Sequence, residues 1–201
     1  MARIGIYGGT FDPVHVGHIA VARQALDAFR LAKMLLIPAK DPWLKRGERI
    51  SQFHHRYRML EIAIQGQSGF AVSQIEGLRD GLTYTIDTVE QLVAENSADE
   101  FLLVIGQDSL ETMPRWQRIK ELLELCPLAV YRRGGQNTTE AERAIAALGG
   151  RVSWIDGPLV DVSATKLRED IALGGAPEDR MPPGVYEYIQ LHRLYGAMDS
   201  K

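Results

Sequence analysis

The chain has 201 residues, 45% of them apolar and 24% charged, with a formal net charge of -3. That length supports one domain, or one domain with an appended subdomain, around a substantial core. The near-neutral charge argues against broad nucleic-acid or membrane binding, so any anion site has to be local. The single cysteine, Cys126, allows no intrachain disulfide and fits a reducing setting. Its place before Pro127 in an apolar region points to an inert buried thiol. No signal-peptide pattern opens the chain, and no apolar run approaches the ~20 residues that span a bilayer, so a cytoplasmic location is expected. Nothing in the sequence sets the oligomeric state, and a homo-oligomer is left open.

The run Arg3-Ile4-Gly5-Ile6-Tyr7 predicts a buried strand, and Gly8-Gly9-Thr10-Phe11-Asp12-Pro13-Val14-His15-Val16-Gly17-His18 follows it directly. This pattern predicts a strand, a tight glycine turn, and a helix whose first turn carries a histidine. Glycines let the backbone approach an anion, and the free N–H groups and positive dipole end of the helix point at it. His15 and His18, three apart, add side-chain donors. The pattern is neither the dinucleotide fingerprint G-x-G-x-x-G nor a P-loop, since no Gly-Lys-Ser/Thr follows.

Further strands are predicted over Met34–Pro38, Phe70–Ile75, Phe101–Ile105, Leu128–Arg132 and Val152–Ile155. Helical patterns lie between them over Gly17–Phe29, Phe53–Ile64, Thr85–Glu95, Trp116–Leu125 and Thr139–Leu148, with a short helix over Ser109–Met113. Phe53, Tyr57, Leu60 and Ile64 share one face, the spacing of a core-facing helix. Such alternation predicts an α/β fold, a doubly wound Rossmann-like parallel sheet whose ligands sit beyond the carboxyl ends of the strands. The tail differs. Ser163–Ala172 and a last helix from about Pro183 to Tyr195 predict a small C-terminal helical subdomain, giving a core over residues 1–157 and a tail over 158–201 within one domain.

Several later segments carry candidate chemistry. Lys45 and Arg46 sit in Pro38-Ala39-Lys40-Asp41-Pro42-Trp43-Leu44-Lys45, which reads either as a rigid surface loop or as a basic clamp on phosphates. In Glu76-Gly77-Leu78-Arg79-Asp80-Gly81-Leu82-Thr83-Tyr84-Thr85, Thr85 reads as an N-cap, and the same turn could offer backbone N–H groups to a carboxylate. Asp108, after Ile105-Gly106-Gln107, is either an N-cap or an acceptor for a ribose diol. Trp116 is either a core residue or a stacking face. Ser163 reads as an N-cap without a capping box, because its i+3 residue is Lys166. Thr165 and Arg168 would make a second anion site there. His54 and His55 read as surface or packing residues. His15 and His18 could hold zinc only with further ligands, and no motif supplies them.

The opening motif resembles the GGTFDPxHxGH signature of the nucleotidyltransferase superfamily, unbroken. The later segments, in the same order, resemble the nicotinate mononucleotide adenylyltransferase branch, from Arg3 to Tyr195. The chain departs from that pattern at Trp43 and Leu44, where the family has Pro-His, at Arg133 in place of proline, and at Ala164 in place of serine. The resemblance implies transfer of AMP from ATP to nicotinate mononucleotide, giving deamido-NAD and pyrophosphate, with magnesium carried on ATP and no metal held by the protein. It places Gly8, Gly9, Thr10, Phe11, His15, His18, Gly106, Asp108, Arg132, Ser163, Thr165 and Arg168 on ATP. It places Lys45, Thr83, Tyr84, Thr85 and Trp116 on the mononucleotide, with His15, His18, Lys45 and Arg168 as the catalytic set. The alternatives are another acceptor, such as nicotinamide mononucleotide or phosphopantetheine, or a regulator that binds nucleotide without turnover. The intact His15, Gly17 and His18 speak against the last.

Overall fold

The computed structural model describes residues 1–42, 49–132, 139–158 and 160–196. Strands β1 (Arg3–Gly9), β2 (Lys33–Pro38), β3 (Phe70–Val72), β4 (Glu100–Gly106), β5 (Leu128–Tyr131) and β6 (Val152–Ile155) form one sheet in the order β3-β2-β1-β4-β5-β6. All pairings are parallel. The order reverses between β1 and β4, which is the topological switch point of a doubly wound sheet and the place where ligands enter such folds.

Strand alternation sorts the central residues onto two faces. Leu102 and Val104 enter one core with Tyr7 and Leu36, while Phe101, Leu103 and Ile105 enter the other with Ile4 and Ile6. The two-residue period of a strand requires this division. Helices α1 (Val16–Ala28), α2 (Phe53–Ala63), α7 (Ala164–Ala172) and α8 (Val185–Leu191) cover the first face, with Ala25, Leu60, Leu167 and Ile189 buried in it. The second is covered by α3 (Thr85–Glu95), α4 (Gln107–Thr112), α5 (Ile119–Leu125) and α6 (Thr139–Ala147). Gly5 is required by this packing, because a Cβ there would lie 2.6 Å from Met34 Cε. Among the described residues, no helix is long and apolar enough to cross a membrane.

Several boundaries depart from the sequence expectation, four of them with a visible cause. β3 stops at Val72 instead of Ile75, because the Ser73 Oγ accepts the Ile75 N–H at 3.3 Å and turns the chain off the sheet edge. The helix expected from Trp116 starts at Ile119: Trp116 closes a 3-10 turn over Met113–Arg115, and Arg118 takes a left-handed conformation (φ 50°) as N-cap. The helix expected over Ser109–Met113 runs Gln107–Thr112 with Gly106 as its cap, so Asp108 lies in the first turn. The last helix is shorter than Pro183–Tyr195. Left-handed Gly184 (φ 81°) caps its start, it ends at Leu191, and Tyr195 (φ 58°) sits in a separate turn.

Candidate active site

The turn from β1 into α1 is built around two aromatic and two imidazole rings. Phe11 is 2% exposed and meets Tyr7 edge-on at 5.6 Å and His18 at 4.9 Å. A Cβ on Gly9 would come within 3.0 Å of the Phe11 ring, so this glycine makes room for the ring beneath the turn. At Gly8 the nearest atom to such a Cβ is Ile37 O, 4.0 Å away, and at Gly106 nothing lies within 4 Å. Neither glycine has a positive φ, so neither backbone conformation nor protein packing demands it there. Both positions leave open space at the carboxyl ends of neighbouring strands.

His15 is the N-cap of α1 in extended conformation, and His18 lies three residues on. Their rings stack at 3.7 Å, and the His15 backbone N–H donates to His18 Nδ1 at 3.2 Å. With Nδ1 accepting, a neutral His18 ring carries its hydrogen on Nε2, as a donor. A Cβ on Gly17 would sit 3.0 Å from His15 Nδ1, so the residue between the histidines has to be glycine for His15 to lie flat.

A cavity of about 470 Å³ opens over this turn. Gly8, Gly9, Thr10, Phe11, His15 and His18 line it, with Gly106 at the end of β4 and Asp108 in the first turn of α4. Thr83, Thr85, Trp116 and Glu76 line it as well, with Val160 and Val162 from the tail. Thr85 is the first helical residue of α3 and Tyr84 its N-cap, a shift of one from the sequence expectation. Thr83 Oγ1 and Trp116 Nε1 are buried and make no hydrogen bond to the described residues. An unpaired buried donor costs about 1–3 kcal/mol, so both are suited to a polar ligand group.

Other expected residues lie differently. Tyr84 does not line the cavity and packs against the second core. Arg132 stacks over Trp154 at 4.6 Å with Asp156 at 3.5 Å and does not line the cavity. Ser163 is the N-cap of α7 and Thr165 and Arg168 lie on that helix; none of the three lines the cavity. Arg168 Nη1 donates to Asp12 O at 2.8 Å and its Nη2 reaches Thr165 Oγ1 at 3.5 Å, so α7 is tied to the glycine turn through its main chain. Lys45, with Trp43, Leu44 and Arg46, lies outside the described residues.

The sequence pattern missed three residues. Glu76 is 7% exposed, accepts the Thr88 hydroxyl at 3.0 Å, and faces the cavity. Burial raises its pKa above the usual carboxylate value. The Thr83 and Thr88 hydroxyls and the Arg79 guanidinium oppose the shift. Thr83 Oγ1 is close enough to favour the charged form of Glu76 but falls short of hydrogen-bond geometry. Arg56 and Asp12 are buried beside the turn. Burial lowers the Arg56 pKa, and Asp12 is the first of the neighbours that hold its charge. Two distant contacts make these residues matter, and neither leaves a periodic trace in sequence. Cys126 is fully buried, and burial pushes its thiol up to about 12, which removes it as a nucleophile.

The chain matches the family model described as Cytidylyltransferase-like over residues 6–170. It is 38% identical over 197 residues to "Probable nicotinate-nucleotide adenylyltransferase" of Geobacillus kaustophilus, covering 98% of this chain and 88% of that relative. A protein of the same description from Synechococcus sp. is 39% identical over 195 residues, covering 96% of this chain and 94% of its own length. Among solved structures, the chain is similar to Plasmodium falciparum nicotinic acid mononucleotide adenylyltransferase. The form complexed with NaAD has a TM-score of 0.82 at 19% identity, covering 98% of this chain and 99% of that one. The form complexed with APC has a TM-score of 0.80 over the same shares.

Proposed function

The chain belongs to the cytidylyltransferase-like family, and from that premise we infer that it is a nicotinate-nucleotide adenylyltransferase acting in NAD biosynthesis. One observation carries the reading to this chain's own residues. One cavity is lined both by the glycine turn with His15 and His18 and by Thr83, Thr85 and Trp116, which supports a transfer between two substrates.

In the proposed reaction the phosphate of nicotinate mononucleotide attacks the α-phosphorus of ATP. A new P–O bond forms there, the bond to the bridging oxygen breaks, and pyrophosphate leaves. The nucleophile needs no general base, because a phosphate monoester with second pKa about 6 is already mostly dianionic at pH 7. Catalysis then consists of positioning two anions and stabilising charge on the transferring group. Backbone N–H groups of the Gly8–Phe11 turn, His15, and His18 through Nε2–H would do this, a reading supported by their lining the cavity. Asp108 accepts from the ribose hydroxyls. Ser163, Thr165 and Arg168 are proposed to act on the phosphates from α7, where Arg168 holds the turn through Asp12 O. Arg132 contributes on the adenine side and Lys45 on the phosphates, as expected from the sequence. Thr83, Tyr84 and Thr85 present the entry of α3 to the pyridine carboxylate, and Trp116 offers its ring.

Magnesium fits as an ion that arrives with ATP. Asp108 and Glu76 put carboxylates on the cavity wall. When bound it would neutralise charge on the phosphates of the leaving group. The tail over residues 158–201 is proposed to close one side of the site. Pyrophosphate release from ATP, dependent on added nicotinate mononucleotide, tests the reading. Its absence with a folded protein would overturn it.

A further inference from the structure

Behind the glycine turn lies a group of charged residues that does not line the cavity. Arg56 on α2 is 1% exposed, yet its guanidinium donates to three main-chain carbonyls. Nη1 reaches Thr10 O at 2.8 Å, Nη2 reaches Lys40 O at 3.3 Å, and Nε reaches Ser51 O at 2.8 Å. Asp12, 3% exposed, completes the group. Its Oδ1 accepts the Tyr195 hydroxyl at 2.5 Å, and its Oδ2 accepts the Ser51 N–H at 3.1 Å. Five separate points of the chain therefore meet: the glycine turn, the end of β2, the start of α2, α7 through Arg168, and the C-terminal turn.

Burying a guanidinium and a carboxylate is costly, and apolar side chains of similar volume would stabilise such a site as well or better. What apolar side chains cannot do is fix main-chain carbonyls in direction. A planar guanidinium fork with three well-placed acceptors does, because its donors are rigid relative to one another. Thr10 is the point where this matters for chemistry. It lines the cavity, and left-handed Phe11 (φ 49°) follows it, so a rotation at Thr10 re-aims the N–H groups of the whole turn.

We propose that Asp12, Arg56 and Tyr195 are positioning residues, a buried buttress that fixes the glycine turn, the chain at Lys40 and Ser51, and the C-terminal turn in one register, and so sets the donors facing the transferring phosphate. The inference rests on the transfer reaction proposed above. None of the three touches substrate; each acts through the main chain of the turn.

The test is steady-state turnover of ATP and nicotinate mononucleotide by Tyr195→Phe, Asp12→Asn, their double variant and Arg56→Lys, beside His18→Ala and thermal melting of each. Tyr195→Phe removes one hydroxyl from the C-terminal turn and leaves its ring. It should lower kcat at least about fivefold and Asp12→Asn about 100-fold, the scale of a misplacement near 1 Å, with KM for the mononucleotide within about twofold. The double variant should be no slower than Asp12→Asn alone, since the two act as one unit. Arg56→Lys keeps the charge but loses the fork, and should lose kcat about as Asp12→Asn does. A Tyr195→Phe enzyme with kcat within about twofold of wild type, or losses that multiply in the double variant, would overturn the inference. A lowered melting temperature with kcat of the folded protein unchanged would overturn it too. If Asp12→Asn or Arg56→Lys does not fold, Tyr195→Phe alone decides. His18→Ala separates the two claims: activity retained there sinks the proposed site, whereas activity lost there but kept in Tyr195→Phe sinks only the buttress.

Discussion

The His15 backbone N–H donates to His18 Nδ1 at 3.2 Å, so the two histidines of the opening motif form one hydrogen-bonded unit. The N-cap of the helix orients the ring of its third residue, and that bond fixes which nitrogen of His18 is a donor. His18→Ala should therefore cut kcat by at least ~100-fold, the scale for losing one transition-state donor, with little loss of fold stability. Pyrophosphate release and thermal melting check it together. Near-normal kcat in a folded variant would defeat the assignment.

Gly17→Ala separates activity from stability more sharply. The added methyl falls 3.0 Å from His15 Nδ1 and 3.1 Å from Cε1, so the ring has to move. In a helix interior alanine is favoured over glycine by about 1 kcal/mol, less near the first turn. The variant should melt at or near the wild-type temperature and turn over at least about tenfold more slowly, because a displacement of under 1 Å is enough. Unchanged kcat would show that the place of His15 on Gly17 does not matter.

Arg168→Ala tests the second helix terminus. The variant should raise KM for ATP or lower kcat, while calorimetry shows mononucleotide binding nearly intact. Loss of mononucleotide affinity with ATP binding unaffected would exchange the two subsites.

The parts legible in sequence were those whose signal is local. The strand-turn-helix opening, the alternation of the sheet and the strand over Phe101–Ile105 that leads into Gly106 all follow from spacing within a few residues. The helical pattern over Trp116–Leu125 starts three residues before the helix does, at Ile119. Left-handed Arg118, bonded to Glu90 and Glu121, breaks the period between them. The resemblance groups Tyr84 with Thr83 and Thr85 on the mononucleotide. At a helix start successive residues diverge, and its ring turns to the core. Asp12 lies inside the opening motif, but nothing local gives its partners, and Arg56 carries no local mark. The bond from Arg56 to Thr10 spans 46 residues and that from Tyr195 to Asp12 spans 183, and no periodicity encodes such meetings.

Acid should weaken the fold through α2 and α8. His55 Nδ1 lies 2.9 Å from the Tyr188 hydroxyl, and the His55 pKa falls below its usual 6.5, chiefly through burial and then through His54 and His192. The folded form thus binds its proton less readily than the unfolded chain. Stability is full above the unfolded value of about 6.5 and declines as pH drops from there toward the lower folded value. Glu76 acts oppositely at lower pH, since its raised pKa lets the fold take up a proton more readily. His55→Gln should make the melting temperature fall less steeply below pH 6.5. An identical slope in the two proteins would remove His55 as the cause.

Selection between the acid and the amide tests the central claim most directly. A carboxylate at the entry of α3 accepts two N–H bonds, whereas a carboxamide turns its NH₂ toward them and leaves a buried donor unpaired. That costs on the order of 1–3 kcal/mol, roughly 5- to 150-fold. Turnover of nicotinate and nicotinamide mononucleotides with ATP should differ in kcat/KM by at least about tenfold in favour of the acid. Trp116→Ala should weaken both and leave the ratio largely unchanged. Equal turnover of the two mononucleotides by the wild-type protein would contradict the account.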